Sequence, residues 1–147
     1  MKAVIRPIQA SETYKMRLEI LRPNETLEKC MYPGDKVQGA VHLGAFFEGR
    51  LVGIVTCSPE ASHLFVAPRQ FRIRGMAVLP EFRRHNIGSE LVAEIEEHLR
   101  LDGPVWIWFN AREVAFRFYE SLGYQYASAI FEMEGIGPHR VMFKELK

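Results

Sequence analysis

Between Arg83 and Ser89 the chain reads RRHNIGS, and the apolar residues that follow recur at helical spacing. A helix beginning here has backbone N–H groups without partners inside the helix. Its summed peptide dipoles also make that end partly positive. An anion, phosphate above all, satisfies both features. Arg83, Arg84 and His85 surround the helix start with charge, and Gly88, lacking a Cβ, lets a ligand approach the backbone. Asn86 falls where a left-handed conformation is useful, and asparagine tolerates that better than most residues. An ordinary loop with solvated arginines is the competing reading of this segment alone.

The neighbouring segments must hold that loop in place. Upstream, Phe71 to Val78 reads as a strand, with Phe71, Ile73, Gly75 and Ala77 on one face and Arg72, Arg74, Met76 and Val78 on the other. Downstream, Ile87, Leu91, Ile95 and Leu99 recur every four residues while Glu90, Glu94 and Glu97 fall elsewhere, an amphipathic helix that Asp102 and Gly103 stop. Pro104 to Phe109 is an apolar run of strand length that suits a central buried strand. Glu113 to Leu122 is helical, with Gly123 placed for a left-handed C-cap. On this helix Val114, Phe118 and Leu122 share a face expected in the core, and Ala115 and Tyr119, four apart, share a rotated one.

Toward the N-terminus, Ala3 to Ile8 reads as a strand, and Ser11 is expected to cap a helix carrying Tyr14, Leu18 and Leu21. Arg22 to Gln38, with its prolines and glycine, reads as loop with one helical turn near Leu27. AVHLGAFF and LVGIVTCS form a hairpin across EGR, and Ala61 to Arg69 connects it to the strand at Phe71. Tyr124 to Met133 and Arg140 to Leu146 are expected as two last strands joined by Glu134 to His139. The order β-α-(loop)-β-β-β-α-β-α-β-β implies an α/β (α+β) fold, a mixed sheet covered by helices.

The 147 residues suit one domain spanning 1–147. Nineteen basic against eighteen acidic side chains leave a net charge of +1, which gives no reason to expect nucleic acid. Cys30 and Cys57 lack metal-ligand spacing, so no metal site and two reduced, buried thiols are expected. The chain shows no signal peptide and no apolar run near the roughly 18 residues of a membrane span, so a soluble cytoplasmic protein is expected. Neither GxGxxG nor GxxxxGK[ST] occurs, which argues against a nucleotide-binding domain using the same helix end.

Two signatures resemble those of the GNAT superfamily of N-acetyltransferases. Arg83-Arg84-His85-Asn86-Ile87-Gly88, directly after AVLPEF, is similar to the family's acyl-CoA-binding pattern Q/R-x-x-G-x-G/A, with Asn86 where glycine is usual. NAREVAFRFYESLGYQ resembles the second signature through Ala115, Phe118, Tyr119, Glu120, Leu122 and Gly123, with Tyr124 replacing the usual phenylalanine. The resemblance implies a mostly antiparallel sheet whose two central parallel strands splay apart after a bulge. It implies acetyl-CoA as co-substrate and transfer to a primary amine of a small molecule or peptide, by direct attack in a ternary complex. A non-catalytic acyl-CoA-binding sensor is the alternative.

The same resemblance assigns positions. Met76, Ala77 and Val78 would pair with the pantetheine arm, although a plain core strand fits their identities equally. The diphosphate would rest on the N–H groups of the 84–89 segment, including His85, Ile87 and Ser89, with charge from Arg83 and Arg84. Asn110 would meet a pantetheine amide, or else cap the next helix. Ala115 leaves room for the coenzyme. Unless it is a packing residue with its hydroxyl at the surface, Tyr119 would protonate or hydrogen-bond the leaving sulfur. A thiol with pKa about 8.5 beside a phenol of about 10 makes that feasible. The N–H of Ala77 or Val78 would hold the oxyanion. The base is not readable; Glu132, Glu134 and His139 are candidates unless they are surface groups, and a water chain is the alternative. Acceptor contacts are expected from 22–38 and 134–139. Arg72 and Arg74 would favour an amine bearing a carboxylate or phosphate, unless they are solvated or paired with nearby acids. The edge of a C-terminal strand could pair with a second copy, giving a homodimer.

Overall fold

The computed structural model describes residues 2–147. Its eight strands are β1 (Val4–Pro7), β2 (Val41–Phe47), β3 (Arg50–Pro59), β4 (Gln70–Val78), β5 (Val105–Arg112), β6 (Gln125–Tyr126), β7 (Phe131–Met133) and β8 (Gly137–Leu146). They form one sheet in the order β1-β2-β3-β4-β5-β8-β6, with β7 paired to β8. The β4–β5 pair is parallel, and the others among the described residues are antiparallel. The helices are α1 (Tyr14–Met16, continued by a π turn over Arg17–Leu21), α2 (Ile87–Arg100) and α3 (Phe116–Ser121).

The long periodic helix is as expected. Ile87, Leu91, Ile95 and Leu99 are each 2 % exposed or less and pack with Val52, Val55, Val105 and Ile107 of the sheet. Full burial of such a side chain contributes about 1.5–3 kcal/mol, so this stripe fixes α2 on its sheet face. The hairpin turn narrows to Glu48 and Gly49, both at positive φ, because Phe47 pairs directly with Arg50. On the opposite sheet face, Met16 of α1 packs with Ile54 and Ala77. Gly123 adopts φ +94 after α3, where the left-handed cap was expected.

Four local expectations differ. Gln9, not Ser11, is the first N-cap; its backbone N–H donates to Glu12 Oε2 at 2.7 Å, and the chain passes through a 3₁₀ turn (Ala10–Thr13) before α1. The loop at 22–38 holds two 3₁₀ turns, Leu27–Cys30 and Pro33–Lys36, rather than one helical turn. The strand expected over Tyr124 to Met133 breaks into β6 and β7. Ser128 interrupts it: its Oγ accepts from the Val141 N–H at 2.9 Å, and its carbonyl accepts from Arg140 Nε at 2.9 Å. Side-chain bonds there replace the strand ladder.

The fourth difference is Val114, expected in the core but 94 % exposed. Residues Glu113–Ala115 form a 3₁₀ turn, and α-helical geometry begins only at Phe116. Changing from three to 3.6 residues per turn rotates Val114 away from the face of Phe118 and Leu122. Val114→Ser should therefore change unfolding free energy by no more than about 0.5 kcal/mol, as measured by urea denaturation. A loss of several times that amount would place Val114 back in the core.

Candidate active site

Strands β4 and β5 pair over Gln70↔Trp106, Phe71↔Ile107 and Arg72↔Trp108, then separate. The cause lies in β4. Thr56 of β3 faces Arg74 and Ile54 faces Ala77, so Gly75 and Met76 together oppose Val55. That extra residue is a bulge, which bends the strand and sharpens its twist. Gly75 takes φ +65, and a Cβ there would lie 3.0 Å from Arg17 Nε. Only glycine meets both demands easily.

The bulge also reverses the side-chain alternation of β4. Phe71 and Ile73 pack with α2, as do Met76 and Val78 beyond the bulge, whereas Ala77 joins Met16 and Ile54 on the α1 side. The single face expected for Phe71, Ile73, Gly75 and Ala77 is therefore divided at Gly75.

Between the separated strands lies a cavity of about 680 Å³. Met76, Ala77 and Val78 of β4 line it, with Asn110 of β5 opposite and Ala115 and Tyr119 from the following segment. Arg83, Arg84, Asn86, Ile87, Gly88 and Ser89 line its α2 end, and Arg72 and Arg74 line it on the other side of the sheet. His85 departs from expectation: it is exposed and does not border the cavity. Asn110 is not a helix cap. It pairs in register with Val141 within β5, and Arg112 is the N-cap of the next turn.

At the start of α2, Asn86 is the N-cap with φ 63 and ψ 13, the left-handed conformation its position called for. Arg84 is left-handed as well, at φ 66. The Asn86 carbonyl accepts from the Glu90 N–H at 3.0 Å and from Ser89 Oγ at 3.0 Å. The N–H groups of Ile87, Gly88 and Ser89 thus precede the intrahelical ladder and are available to a ligand. Arg83 Nε donates to the Val78 carbonyl at 3.2 Å, tying the basic loop to the end of β4.

Gly88 has a packing role beyond access. A Cβ there would sit 3.2 Å from both Met76 Cε and Phe118 Cζ, tighter than ordinary contact. Gly88→Val should push these side chains into the cavity and weaken coenzyme A binding by about tenfold or more, roughly 1.4 kcal/mol. Titration calorimetry reads this directly. Binding unchanged in the variant would separate Gly88 from the coenzyme.

Tyr119 is 8 % exposed and held by aromatic packing. Its ring lies 4.3 Å from that of Phe109, 4.9 Å from Phe118 and 6.0 Å from Tyr124. Its hydroxyl has a weak acceptor, Met76 Sδ at 3.9 Å. Burial pushes the phenol well above its ordinary value, so it keeps its proton. Cys57 is buried too, its thiol pushed up to about 12 by desolvation, an inert core group as expected.

Of the three candidate bases, His139 lines the cavity, while Glu132 and Glu134 are exposed and lie off it. His139 is 4 % exposed, and its Nδ1 lies 2.8 Å from the Gly137 carbonyl. A carbonyl can only accept, so Nδ1 carries the hydrogen and Nε2 of the neutral ring keeps its lone pair.

Arg112 lines the cavity without a place in the sequence expectations, whereas Arg22, Tyr32 and Ile136 line it within the 22–38 and 134–139 segments from which acceptor contacts were expected. Arg112 was reachable, because it stands two residues after Asn110 on the same strand face. Tyr32 and Arg22 lie where no periodicity guides assignment.

A cleft opened between splayed parallel strands, with a bare helix end on one side and a buried phenol on the other, is the architecture of an acyltransferase. The chain matches the acetyltransferase (GNAT) family over residues 8–124 and belongs to that family. It is 36 % identical over 143 residues to the uncharacterized N-acetyltransferase YitI of Bacillus subtilis (strain 168), covering 97 % of this chain and 96 % of that protein. Among solved structures it resembles Arabidopsis thaliana NAA60 in complex with acetyl-CoA (TM-score 0.76, 13 % identity, 99 % of each chain). It also resembles Escherichia coli ElaA (TM-score 0.71, 20 % identity, 97 % of this chain and 99 % of that one). The mostly antiparallel sheet with a splayed parallel pair is therefore the family fold. No helix among the described residues is long and apolar enough to cross a membrane, and those residues contain no His/Cys/Asp/Glu cluster able to hold a metal.

Proposed function

We propose that the chain transfers an acetyl group from acetyl-CoA to a primary amine in a ternary complex, with Tyr119 as the group at the leaving sulfur. The observation that carries this reading is the buried, protonated Tyr119 hydroxyl in the same cavity as the bare N-terminus of α2. The residues present suit the coenzyme: free N–H groups and two arginines for a diphosphate, and an unpaired strand edge for an extended amide-bearing arm. When bound, the coenzyme supplies an activated acetyl thioester.

The chain's own groups then have separable tasks. The Leu79 N–H is committed to the Val52 carbonyl of β3 at 2.9 Å. Strand alternation turns the Val78 N–H to the other edge, toward the gap. Of the two donors considered for the carbonyl oxygen, Val78 is thus the better placed, and a fixed backbone donor suits charge that develops during attack. His139 Nε2 accepts the proton that the amine gives up. Tyr119 donates a hydrogen bond to the departing sulfur.

The test is incubation with labelled acetyl-CoA and a broad amine pool, read by mass spectrometry of the amines together with thiol release. Labelled amine appearing with stoichiometric thiol supports the proposal. Tight coenzyme binding with no transfer to any amine would favour a sensor instead.

A further inference from the structure

We infer that the acceptor is an amine that also carries an anionic group, a carboxylate or phosphate, held by Arg74 with Arg22 and Arg112 on the α1 side of the sheet. This rests on the proposed acetyl transfer and narrows its second substrate. Six arginines line the cavity and no aspartate or glutamate does. Arg83 and Arg84 stand at the α2 end, where a diphosphate would neutralise them. The other four lie away from that end, and their charges are not balanced in the same way.

Arg72 has its charge paired within the chain, although its Nε is buried without a hydrogen-bond partner. Its Nη1 donates to Glu60 Oε2 at 2.9 Å, and its guanidinium lies over the Trp108 ring at 4.9 Å. Arg74, Arg22 and Arg112 make no ion pair among the described residues. Arg74 is half-buried, with its guanidinium 4.6 Å over the face of Tyr32, a ring that Arg17 also covers at 4.0 Å. Burial first, then the neighbouring charges of Arg72 and Arg22, bear against its protonated form and outweigh the support from Tyr32 and Glu60. Arg112 Nη2 donates to the Leu21 carbonyl at 2.9 Å, which anchors that guanidinium beside Arg22. Glu60, whose charge reaches Arg74, is already paired with Arg72, and the exposed Glu25 borders only a smaller outer pocket shared with Arg22 and Arg112.

Like charges gathered in a partly desolvated cavity are unfavourable until an anion joins them. Arginine is the side chain that meets a carboxylate or phosphate with two parallel bonds, and stacking on Tyr32 pre-orients Arg74 for it. The same field repels a polyamine. A ligand whose anion lies among these three guanidiniums can extend its amine toward His139, which borders the same cavity.

The test uses the full chain with labelled acetyl-CoA and matched acceptor pairs. These are the amino acids against their amides and O-phosphoethanolamine against ethanolamine, with spermidine as the polycation. In parallel, calorimetry measures binding of the same compounds to the coenzyme A-loaded protein, so that the anion preference is read without turnover. The anionic member of at least one pair should bind about tenfold or more tightly than its neutral partner, the scale of one charged hydrogen-bonded contact. Arg74→Gln should bring that ratio near one, and Arg22→Gln should lower it. Which pair shows the preference distinguishes carboxylate from phosphate. Equal binding within every pair, or tighter binding of spermidine, overturns the inference even if acetyl transfer is observed. Anion-selective binding without transfer to any amine sustains the clamp and removes the proposed reaction.

Discussion

Tyr119→Phe should lower kcat by about 10²–10³-fold, the range for losing one positioned hydrogen-bond donor to developing charge, with little change in affinity for acetyl-CoA. The structure makes this substitution clean. The ring's contacts with Phe109, Phe118 and Tyr124 do not involve the hydroxyl. The hydroxyl has only the sulfur of Met76 as a partner, at 3.9 Å. Removing it should shift folding stability by less than about 1 kcal/mol. A fall in kcat with an unchanged melting curve therefore reports chemistry. The raised phenol pKa also fixes a sign. The protonated form persists beyond the ordinary phenol value of about 10, so Tyr119 gives no loss of kcat as pH rises to that point. Rising pH should increase the rate as the amine deprotonates. The same elevation makes full proton transfer to a thiolate uphill, so hydrogen bonding to the sulfur is the main contribution. Steady-state kinetics from pH 6 to 10 on both proteins test this. Unaltered turnover in the phenylalanine variant would take Tyr119 out of the mechanism.

The parts of this site legible in the sequence are those set by local pattern. The stripe Ile87, Leu91, Ile95 and Leu99 positions α2, and the residues just before it demand the left-handed Asn86 that is observed. The hairpin and the apolar run ending at Phe109 were equally plain, because alternation and apolarity act over neighbouring residues. What failed depended on distant partners. A period of two does not locate the bulge at Gly75, where the side chain of Arg17, far away in sequence, fills the space a Cβ would need. Val114 turned out because a 3₁₀ turn precedes α3, and a helical wheel assumes one continuous pitch. Ser128 broke a strand through bonds to Arg140 and Val141 that exist only once β8 is in place. The arginine-lined side of the cavity was half visible. Arg72 and Arg74 were noticed as a pair, but sequence could not reveal that Glu60 pairs with the first while the second has no acid partner.

Asp35→Ala should be the most destabilising single change outside the hydrophobic core. Arg17 is fully buried, with Nη1 donating to Asp35 Oδ2 at 2.7 Å and Nη2 to Oδ1 at 2.9 Å. Its remaining bonds run to the Cys30 carbonyl at 2.7 Å and Thr56 Oγ1 at 2.8 Å. Asp35 Oδ2 also accepts the Tyr32 N–H at 3.0 Å, so one pair joins α1, the 22–38 loop and β3. Removing the carboxylate strands a buried guanidinium, at a cost of about 3–5 kcal/mol. At about 2–4 °C per kcal/mol for a chain of this size, the melting temperature should fall by about 6–20 °C. Replacing both partners, Arg17→Met with Asp35→Leu, removes both charges and should recover part of that loss. A residue of about 1–3 kcal/mol should persist, because the Cys30 carbonyl and Thr56 lose their donor. A double variant as unstable as Asp35→Ala would mean that the wider network, not the stranded charge, sets the cost. Arg17 also packs against Gly75 and the ring of Tyr32, on which Arg74 rests. A stable double variant that loses anion selectivity, yet still releases thiol from acetyl-CoA, would show that this buried pair orients the acceptor side alone.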